Sequence, residues 1–274
     1  SKASDETVAG LFLGILGPLV LIQFLHEAAH LLVAKTNGLK TTIPTLLPFV
    51  NYIPFFGCKT DLKGPPKNRT VLFDFAYVGP FVGILSSLIF LLLGLQNTLL
   101  ASPQEIAQTF PAIPISWIKL STLTGTLMDT LYGGPGMVTA DMVGGQIALH
   151  PFAVAGFCGL LTHSLELLPL GGDSDGSRLI QTLFGRENAQ VVGAISWLAI
   201  IVASLFTDDQ FDMLLGALVI SQLVNQDSEV PCRNEVDPIG PFRALAGLGL
   251  FFVAALAAVP MSPLGGGDAP MGMM

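Results

Sequence analysis

Charged residues are scarce in this 274-residue sequence. Asp, Glu, Lys and Arg make up 12% of it, whereas soluble globular domains carry about 25%. With 51% hydrophobic residues as well, the composition excludes an ordinary soluble domain and favours a polytopic membrane protein with lipids as its surroundings. The net charge of −8 and the lack of a basic patch with interleaved aromatics argue against nucleic acid as a partner.

Cysteine is also scarce. Cys58, Cys158 and Cys232 are far apart and form no Cys-x-x-Cys pair, which argues against a zinc knuckle and against a disulfide framework. A reducing or membrane-buried environment is the simpler interpretation. The opening residues, SKASDETVAG, are too polar for the apolar region of a signal peptide. Either a targeting segment has been removed or the sequence begins late.

Long apolar runs occupy much of the sequence instead. A transmembrane helix needs about 20 apolar residues, so the runs predict an all-α polytopic membrane protein with about six transmembrane helices. The fifth run is short, which predicts a tilted helix, a hairpin with the fourth run, or a partly interfacial segment. The runs are 8–34, 71–95, 142–168, 189–206, 211–224 and 241–259.

The order of the runs suggests two parts. Residues 1–225 are predicted to form the membrane core. Residues 226–274 would supply a linker, the last transmembrane helix and a disordered tail rich in Gly and Met. Three small residues are expected to let helices approach closely; they are Gly79, Gly83 and Gly94.

Basic residues are distributed unevenly between the predicted loops. If six helices alternate in direction, one side receives ten of the twelve Lys and Arg, and the other receives only Lys2 and Lys119. The basic side is predicted to face the cytosol, or the stroma or matrix of an organelle. The ten residues are Lys35, Lys40, Lys59, Lys63, Lys67, Arg69, Arg178, Arg186, Arg233 and Arg243.

Two connections are long enough to carry structure. Residues 36–70 contain short β-like pieces broken by proline and glycine, which predicts a small irregular segment at the membrane surface after the first helix. Within it, residues 43–58 are interpreted either as a strand that an extended substrate joins or as a re-entrant structural element. Residues 96–141 lie on the other side, with a short amphipathic piece around 115–131.

The run LHEAAHLLV at 25–33 places ionisable residues inside the first apolar segment. His26 and His30 are four residues apart, on one face of a helix, where two imidazoles can share one metal ion. Glu27 is adjacent and can act as a base toward a metal-bound water. Because ionisable groups in a membrane cost about 2.5–3.5 kcal/mol each, they point to function by default.

A metal held by two histidines needs a third ligand. The best match is Asp175 in the stretch ELLPLGGDSDGSRL, at a break after an apolar helix. A carboxylate at a broken helix is tolerated in a membrane when protein or a cavity surrounds it. Asp173 is the alternative ligand, and an ordinary surface turn is the alternative interpretation of the whole stretch.

These motifs, taken in order, resemble the site-2 protease family of intramembrane metalloproteases. The resemblance is strongest to its plastid and cyanobacterial branch, the ethylene-dependent gravitropism-deficient and yellow-green (EGY) proteins. It spans most of residues 20–225 and is carried by LHEAAHLLVAKTNGLKTTIP (25–44), FGCKTDLKGPPKNRTVLFDFAYVGPFVG (56–83), HPFAVAGFCGLL (150–161) and ELLPLGGDSDGSRLIQTLFG (166–185).

The resemblance implies a Zn²⁺ ion bound by His26, His30 and the aspartate of an Asn-x-x-Pro-x-x-x-Leu-Asp-Gly motif. It also implies cleavage of a transmembrane protein substrate, and a plastid location in the thylakoid or inner envelope membrane with the basic loops stromal. Pro169 is in place, but Glu166 occupies the asparagine position, which the family uses to hold substrate. Glu166 and Pro169 are therefore the candidate substrate-positioning residues, with Glu166 alternatively a metal ligand or a carboxyl group kept protonated by burial. The aspartate segment is one residue longer, so either Ser174 or Asp175 falls at the ligand position.

Two functions are compatible with this pattern. The intact HExxH motif favours an active zinc endopeptidase with Glu27 as its base. The altered second motif, with Glu166 beside Pro169, favours a pseudoprotease that serves as a membrane scaffold, an assembly factor or a subunit of a larger, photosynthetic membrane complex. Zinc occupancy separates the two.

Overall fold

In a computed structural model of the chain, residues 5–46, 58–131, 145–204, 219 and 229–261 are described. Among these residues, three helices are long and apolar enough to cross a membrane, by length and composition. They correspond to the first, second and last predicted spans. The fifth predicted span (211–224) except for residue 219, most of the segment 43–58 and the Gly/Met tail lie outside the described residues.

The described part of the chain is mostly helical, with two short antiparallel strand pairs. The strands are β1 (Thr45–Leu46), β2 (Cys58–Lys59), β3 (Ala112–Pro114) and β4 (Gln146–Ala148). The helices are α1 (Asp5–Asn37), α2 (Arg69–Leu100), α3 (Pro103–Thr109), α4 (Ile115–Ile118), α5 (Thr122–Leu131), α6 (Pro151–Glu166), α7 (Asp175–Phe184), α8 (Arg186–Ser204) and α9 (Pro241–Ala258).

Helices α1, α2 and α6 form the centre of the fold, and α2 runs antiparallel to α6 along a face of small residues. A Cβ added at Gly94 would meet the backbone of Ala153, and one added at Gly156 would meet the backbone of Leu91. A Cβ at Gly83 would meet the ring of His163. The predicted close approach at Gly83 and Gly94 is therefore confirmed, because glycine leaves room for a neighbouring backbone or ring.

The third predicted span begins later than the apolar run suggested. Residues 146–148 form β4, which pairs with β3 through Ile113 and Ile147. Helix α6 starts only at Pro151, because the His150 side chain caps it by accepting a hydrogen bond from the Phe152 amide at 3.1 Å. Proline at the first helical position loses no hydrogen bond there, which makes it a natural start.

Six membrane crossings are not confirmed. Helix α6 has 16 residues, and the 19-residue α8 opens with the charged pair Arg186 and Glu187. The amphipathic piece predicted around 115–131 is two helices, α4 and α5. The predicted β-like segment is present in its described part as the β1–β2 pair, extended by a bridge between Thr41 and Leu62.

Helix α9 returns to the basic end of α2. There Arg243 and Asp74 form a two-point ion pair, with Nε–Oδ1 and Nη2–Oδ2 distances of 2.7 and 3.0 Å. Helix α9 also packs against α5 and α6. This contact brings the proposed 226–274 part back onto the membrane core, although the division at residue 225 stays a prediction.

Candidate metal centre

Helix α1 presents its two histidines to the interior of the fold. His26 and His30 are 1% and 3% exposed, and their Nε2 atoms are 3.0 Å apart. The orientation of the His30 ring is fixed by its other nitrogen, because Nδ1 donates a hydrogen bond to the Phe75 carbonyl at 2.8 Å. The ring lies flat against α2 at Gly79, where an added Cβ would meet it. A backbone carbonyl on the far nitrogen is the usual way a metal-ligating imidazole is fixed.

The break after α6 delivers Asp175 to the same point. Gly171 and Gly172 have φ values of +104° and +72°, a region that glycine enters without strain. Ser174 then caps α7, and Asp175 is its first residue. The two left-handed glycines turn the extra-long segment so that Asp175, and not Ser174, faces the histidines.

The three side chains lie close to the spacing that a tetrahedral ion requires. Asp175 Oδ2 is 3.1 Å from His30 Nε2 and 3.6 Å from His26 Nε2, and the two Nε2 atoms are 3.0 Å apart. Ligand atoms bound to tetrahedral zinc at about 2.0–2.2 Å are about 3.3–3.6 Å from one another. The His26 and His30 rings meet at 65°, so their lone pairs can converge. The residues present therefore fit a zinc ion.

Asp175 is favoured in its ionised form. Burial opposes ionisation, but His30 and the guanidinium of Arg178 outweigh burial and lower the pKa of Asp175 below its ordinary value. An anionic carboxylate is the form that ligates a cation. The proposed third ligand is therefore in the protonation state that binding requires.

Glu27 lies beside the three proposed ligands with one oxygen held and one directed inward. Its Oε2 accepts a hydrogen bond from the Thr60 hydroxyl. Its Oε1 is 3.9 Å from His26 Nε2. This buried oxygen and His26 Nδ1 have no hydrogen-bond partner among the described residues. Because buried polar atoms are nearly always paired, the unpaired Glu27 oxygen is consistent with a group that works on a bound water.

Asp173, the alternative third ligand, is engaged elsewhere. Its Oδ2 is 2.9 Å from Lys59 Nζ, in an ion pair between the loop and β2. Burial raises the pKa of Asp173, and the hydrogen bond from Lys59 opposes that rise without cancelling it. The geometry therefore favours Asp175 over Asp173 beside the histidines.

Glu166 is paired with a third histidine. His163 Nδ1 is 3.1 Å from Glu166 Oε2, one helical turn apart on α6. These two residues and His26 have ligand atoms within 4.8 Å of one another. However, the His26 and His163 rings are stacked 4.7 Å apart at 15°. Imidazole lone pairs lie in the ring plane, so two nearly parallel rings cannot ligate one ion without rotating.

Several contacts around the centre were not predicted from the sequence. Thr60 and Lys59 come from the β2 region, and Glu229, which accepts a hydrogen bond from Arg178 Nε at 2.5 Å, comes from the segment before α9. No local motif marks them, since each acts through a contact between distant parts of the chain. Pro169 lies in the turn after α6, with its carbonyl facing Gly193 of α8, and its part in substrate positioning stays a prediction.

An HExxH helix and a remote aspartate, set among apolar helices, define a membrane protein with a metallopeptidase type of site. The chain belongs to peptidase family M50, whose model matches residues 14–268. This is the site-2 protease family that the motifs indicated. No solved structure matches the chain significantly.

Curated relatives carry the resemblance over most of the chain. It is 29% identical over 241 residues to a protein named probable zinc metalloprotease EGY1, chloroplastic, of Arabidopsis thaliana. It is 28% identical over 240 residues to the Oryza sativa protein of that name. These matches cover 88% of this chain and 41% and 39% of the relatives. The chain thus spans about two fifths of their length.

Proposed function

We propose that the chain is an intramembrane zinc endopeptidase that hydrolyses a peptide bond in a transmembrane protein. The observation that carries the proposal is the convergence of His26 Nε2, His30 Nε2 and Asp175 Oδ2 at separations of 3.0, 3.1 and 3.6 Å. Glu27 stands beside them on the same apolar helix. The relatives named zinc metalloproteases support the same metal.

In this proposal each residue of the centre has a separate role. Zinc, when bound by the two histidines and Asp175, would polarise the scissile carbonyl and favour ionisation of water. Glu27 takes a proton from the attacking water and passes it to the leaving amine. Thr60 keeps the Glu27 carboxylate in one orientation through its hydrogen bond. The buried setting strengthens each of these electrostatic contacts.

The substrate is proposed to be a membrane helix that unwinds before cleavage. Backbone groups inside an intact helix are already hydrogen-bonded and shielded, so the scissile bond must first become extended. Strand β1 lies near the start of the segment 43–58, β2 begins at its last residue, and Thr60 follows β2 directly. An extended substrate strand added there would lie next to Glu27.

The scaffold alternative has no comparable support. The relatives matched over most of the chain are named as probable zinc metalloproteases, and the proposed ligands converge in spite of the altered motif. Glu166 is paired with His163 at 3.1 Å, so its carboxylate is not left unpaired beside the site. The substitution at the family asparagine position is therefore compatible with a working centre.

A plastid membrane is the proposed location, because the matched relatives are named as chloroplastic proteins. The basic end of the helices is proposed to face the stroma. Water would reach His26 and His30 from that side, since both lie in the C-terminal half of α1, whose last turn contains Lys35.

Glu27→Gln tests the function most simply. The purified chain is reconstituted in liposomes with a panel of fluorescent single-helix membrane proteins, and cleavage is followed by gel. We expect the unaltered chain to cut at least one panel member. The Glu27→Gln variant should bind zinc normally and cut none, because the amide cannot accept a proton. Full activity of that variant would exclude Glu27 as the base.

A further inference from the structure

A buried arginine connects the candidate metal centre to the segment that precedes α9. Arg178 lies on α7, one turn after Asp175, and is 3% exposed. Its Nε donates to Glu229 Oε2 at 2.5 Å, across 51 residues of sequence. The Cζ atom also lies 5.5 Å from the centre of the Phe75 ring. The guanidinium plane is thus fixed by a carboxylate at one edge and an aromatic ring on one face.

The remaining edge of the guanidinium faces two residues of the centre. Arg178 Nη1 is 3.5 Å from Asp175 Oδ1, whereas the other oxygen of that carboxylate, Oδ2, faces the histidines. Nη1 is also 3.4 Å from the Thr60 carbonyl, and the Thr60 hydroxyl donates to Glu27. Arg178 therefore contacts the proposed third ligand directly and the proposed base through Thr60.

The orientation of this arginine depends on Glu229. A long flexible side chain has several rotamers, and the planar fork contacts Asp175 and Thr60 only when its plane is fixed. Glu229 supplies the shortest contact that Arg178 makes. Glu229 is itself 5% exposed, which makes the pair a buried ion pair whose partners each depend on the other.

We infer that Glu229 is a positioning residue of the metal centre. It holds Arg178 in the orientation that keeps Asp175 and Thr60 beside the two histidines. The inference rests on the proposed function. It means that the segment before α9 completes a site whose other residues lie between residues 26 and 178. Partners behind metal ligands commonly change metal affinity about tenfold to one-hundredfold when removed.

The test compares metal binding by Glu229→Gln and by the unaltered chain, each full length in detergent. Zinc dissociation constants are measured by competition with a chromophoric chelator, and visible spectra are recorded with Co²⁺ in place of zinc. We expect Glu229→Gln to weaken zinc binding about tenfold to one-hundredfold and to shift the Co²⁺ bands, because Asp175 would no longer be held. A purely structural ion pair would leave the Co²⁺ spectrum unchanged in folded protein.

Glu235→Gln is the matched control. Glu235 lies in the same segment and pairs with Arg186 at 2.9 Å. Arg186 also donates to the Glu229 backbone carbonyl at 3.0 Å, so this variant disturbs the segment around Glu229 without removing the carboxylate that contacts Arg178. This variant should bind zinc like the unaltered chain. If the single Gln variant does not fold, the double variant Arg178→Met with Glu229→Met removes the unpaired buried charge. It should fold and show the same loss of affinity, since Asp175 has lost its arginine.

The outcomes are distinct. Unchanged zinc affinity and an unchanged Co²⁺ spectrum in either folded variant would overturn the inference and leave the proposed function standing. If the unaltered chain binds no zinc, the proposed function fails and the inference fails with it. A loss of affinity that Glu235→Gln reproduces would reduce the effect to general loosening of the segment, which also overturns the inference.

Discussion

Several buried polar residues in the described part of the chain have a partner that accounts for the cost of burying them. His30 is tied to the Phe75 carbonyl, Asp173 to Lys59, and Arg178 to Glu229. Among the described residues, the buried polar atoms without a partner include His26 Nδ1 and Glu27 Oε1. Unpaired buried atoms are costly, and the unpaired Glu27 oxygen beside the proposed ligands is consistent with a group that acts on a bound water.

Separate substitutions of Asp175 and Asp173 test which aspartate is the third metal ligand. Asp175→Asn should weaken zinc binding by more than the one-hundredfold or so that removal of a residue behind the ligands causes, because a neutral amide replaces an anionic ligand. Asp173→Asn should keep zinc bound, since Asp173 pairs with Lys59 instead. Zinc content after dialysis against a weak chelator measures both. The reverse pattern would make Asp173 the ligand.

At this scale the sequence indicates the proposed ligands, which stay a prediction, but gives no sign of the residues that support them. His26, Glu27 and His30 follow from one short motif, and Asp175 follows from a break in an apolar run. Thr60 and Glu229 carry no such signal, because their parts depend on which distant segments meet. The geometry favours Asp175 over Ser174 through the φ values of two glycines and over Asp173 through the ion pair of Asp173 with Lys59, and the order of residues reveals neither.

At the scale of elements, the close packing of the helices depends on glycines that leave parts of their faces without side chains. Gly79 and Gly83 are one turn apart on α2 and receive the rings of His30 and His163. Gly156 and Gly159 on α6 receive the backbone of Leu91 and the Ser87 hydroxyl. These glycines bring three helices close enough for side chains on α1 and α7 to meet.

Gly79→Ala tests this packing. The new methyl group would meet the His30 ring, which cannot move away without breaking its bond to Phe75. Overpacking of this kind costs about 1–3 kcal/mol, so we expect a lower thermal unfolding temperature and weaker zinc binding. Gly249→Ala is the control, because nothing lies within 4 Å of that helical position. Equal effects of the two changes would contradict the packing account.

The features that the sequence predicted poorly are those that depend on contacts with a distant part of the chain. The apolar run 142–168 has no internal signal that residues 146–148 form a strand, because only the distant partner β3 selects that conformation. Asp74 pairs with Arg243 of α9, 169 residues further along the chain. Nearness in sequence is a weak guide to ion pairs across a bundle.

At the scale of the whole molecule, apolar length and low charge predicted the class correctly. Three long apolar helices and membership of peptidase family M50 agree with a membrane protein. Orientation rests on the charges alone. The described contacts gather basic residues at one end, where Lys59, Arg178 and Arg243 pair with Asp173, Glu229 and Asp74.

Labelling from opposite sides tests the proposed orientation. With the native cysteines replaced by serine, Lys67→Cys and Thr109→Cys are each treated with a membrane-impermeant thiol reagent in sealed vesicles of known sidedness. Both positions are exposed, and they lie at opposite ends of α2. We expect Lys67→Cys to react only from the stromal side and Thr109→Cys only from the other. Reaction of both from one side would contradict a spanning α2.

The central claim is that two imidazoles of α1 and one remote carboxylate bind a single zinc ion. X-ray absorption at the zinc edge, on purified chain never exposed to chelator, tests it most directly. The account predicts one zinc per chain, with two imidazole nitrogens and a carboxylate oxygen at about 2.0–2.2 Å, and loss of that signal in His26→Ala. A chain without stoichiometric zinc, or a zinc bound through sulfur, would contradict it.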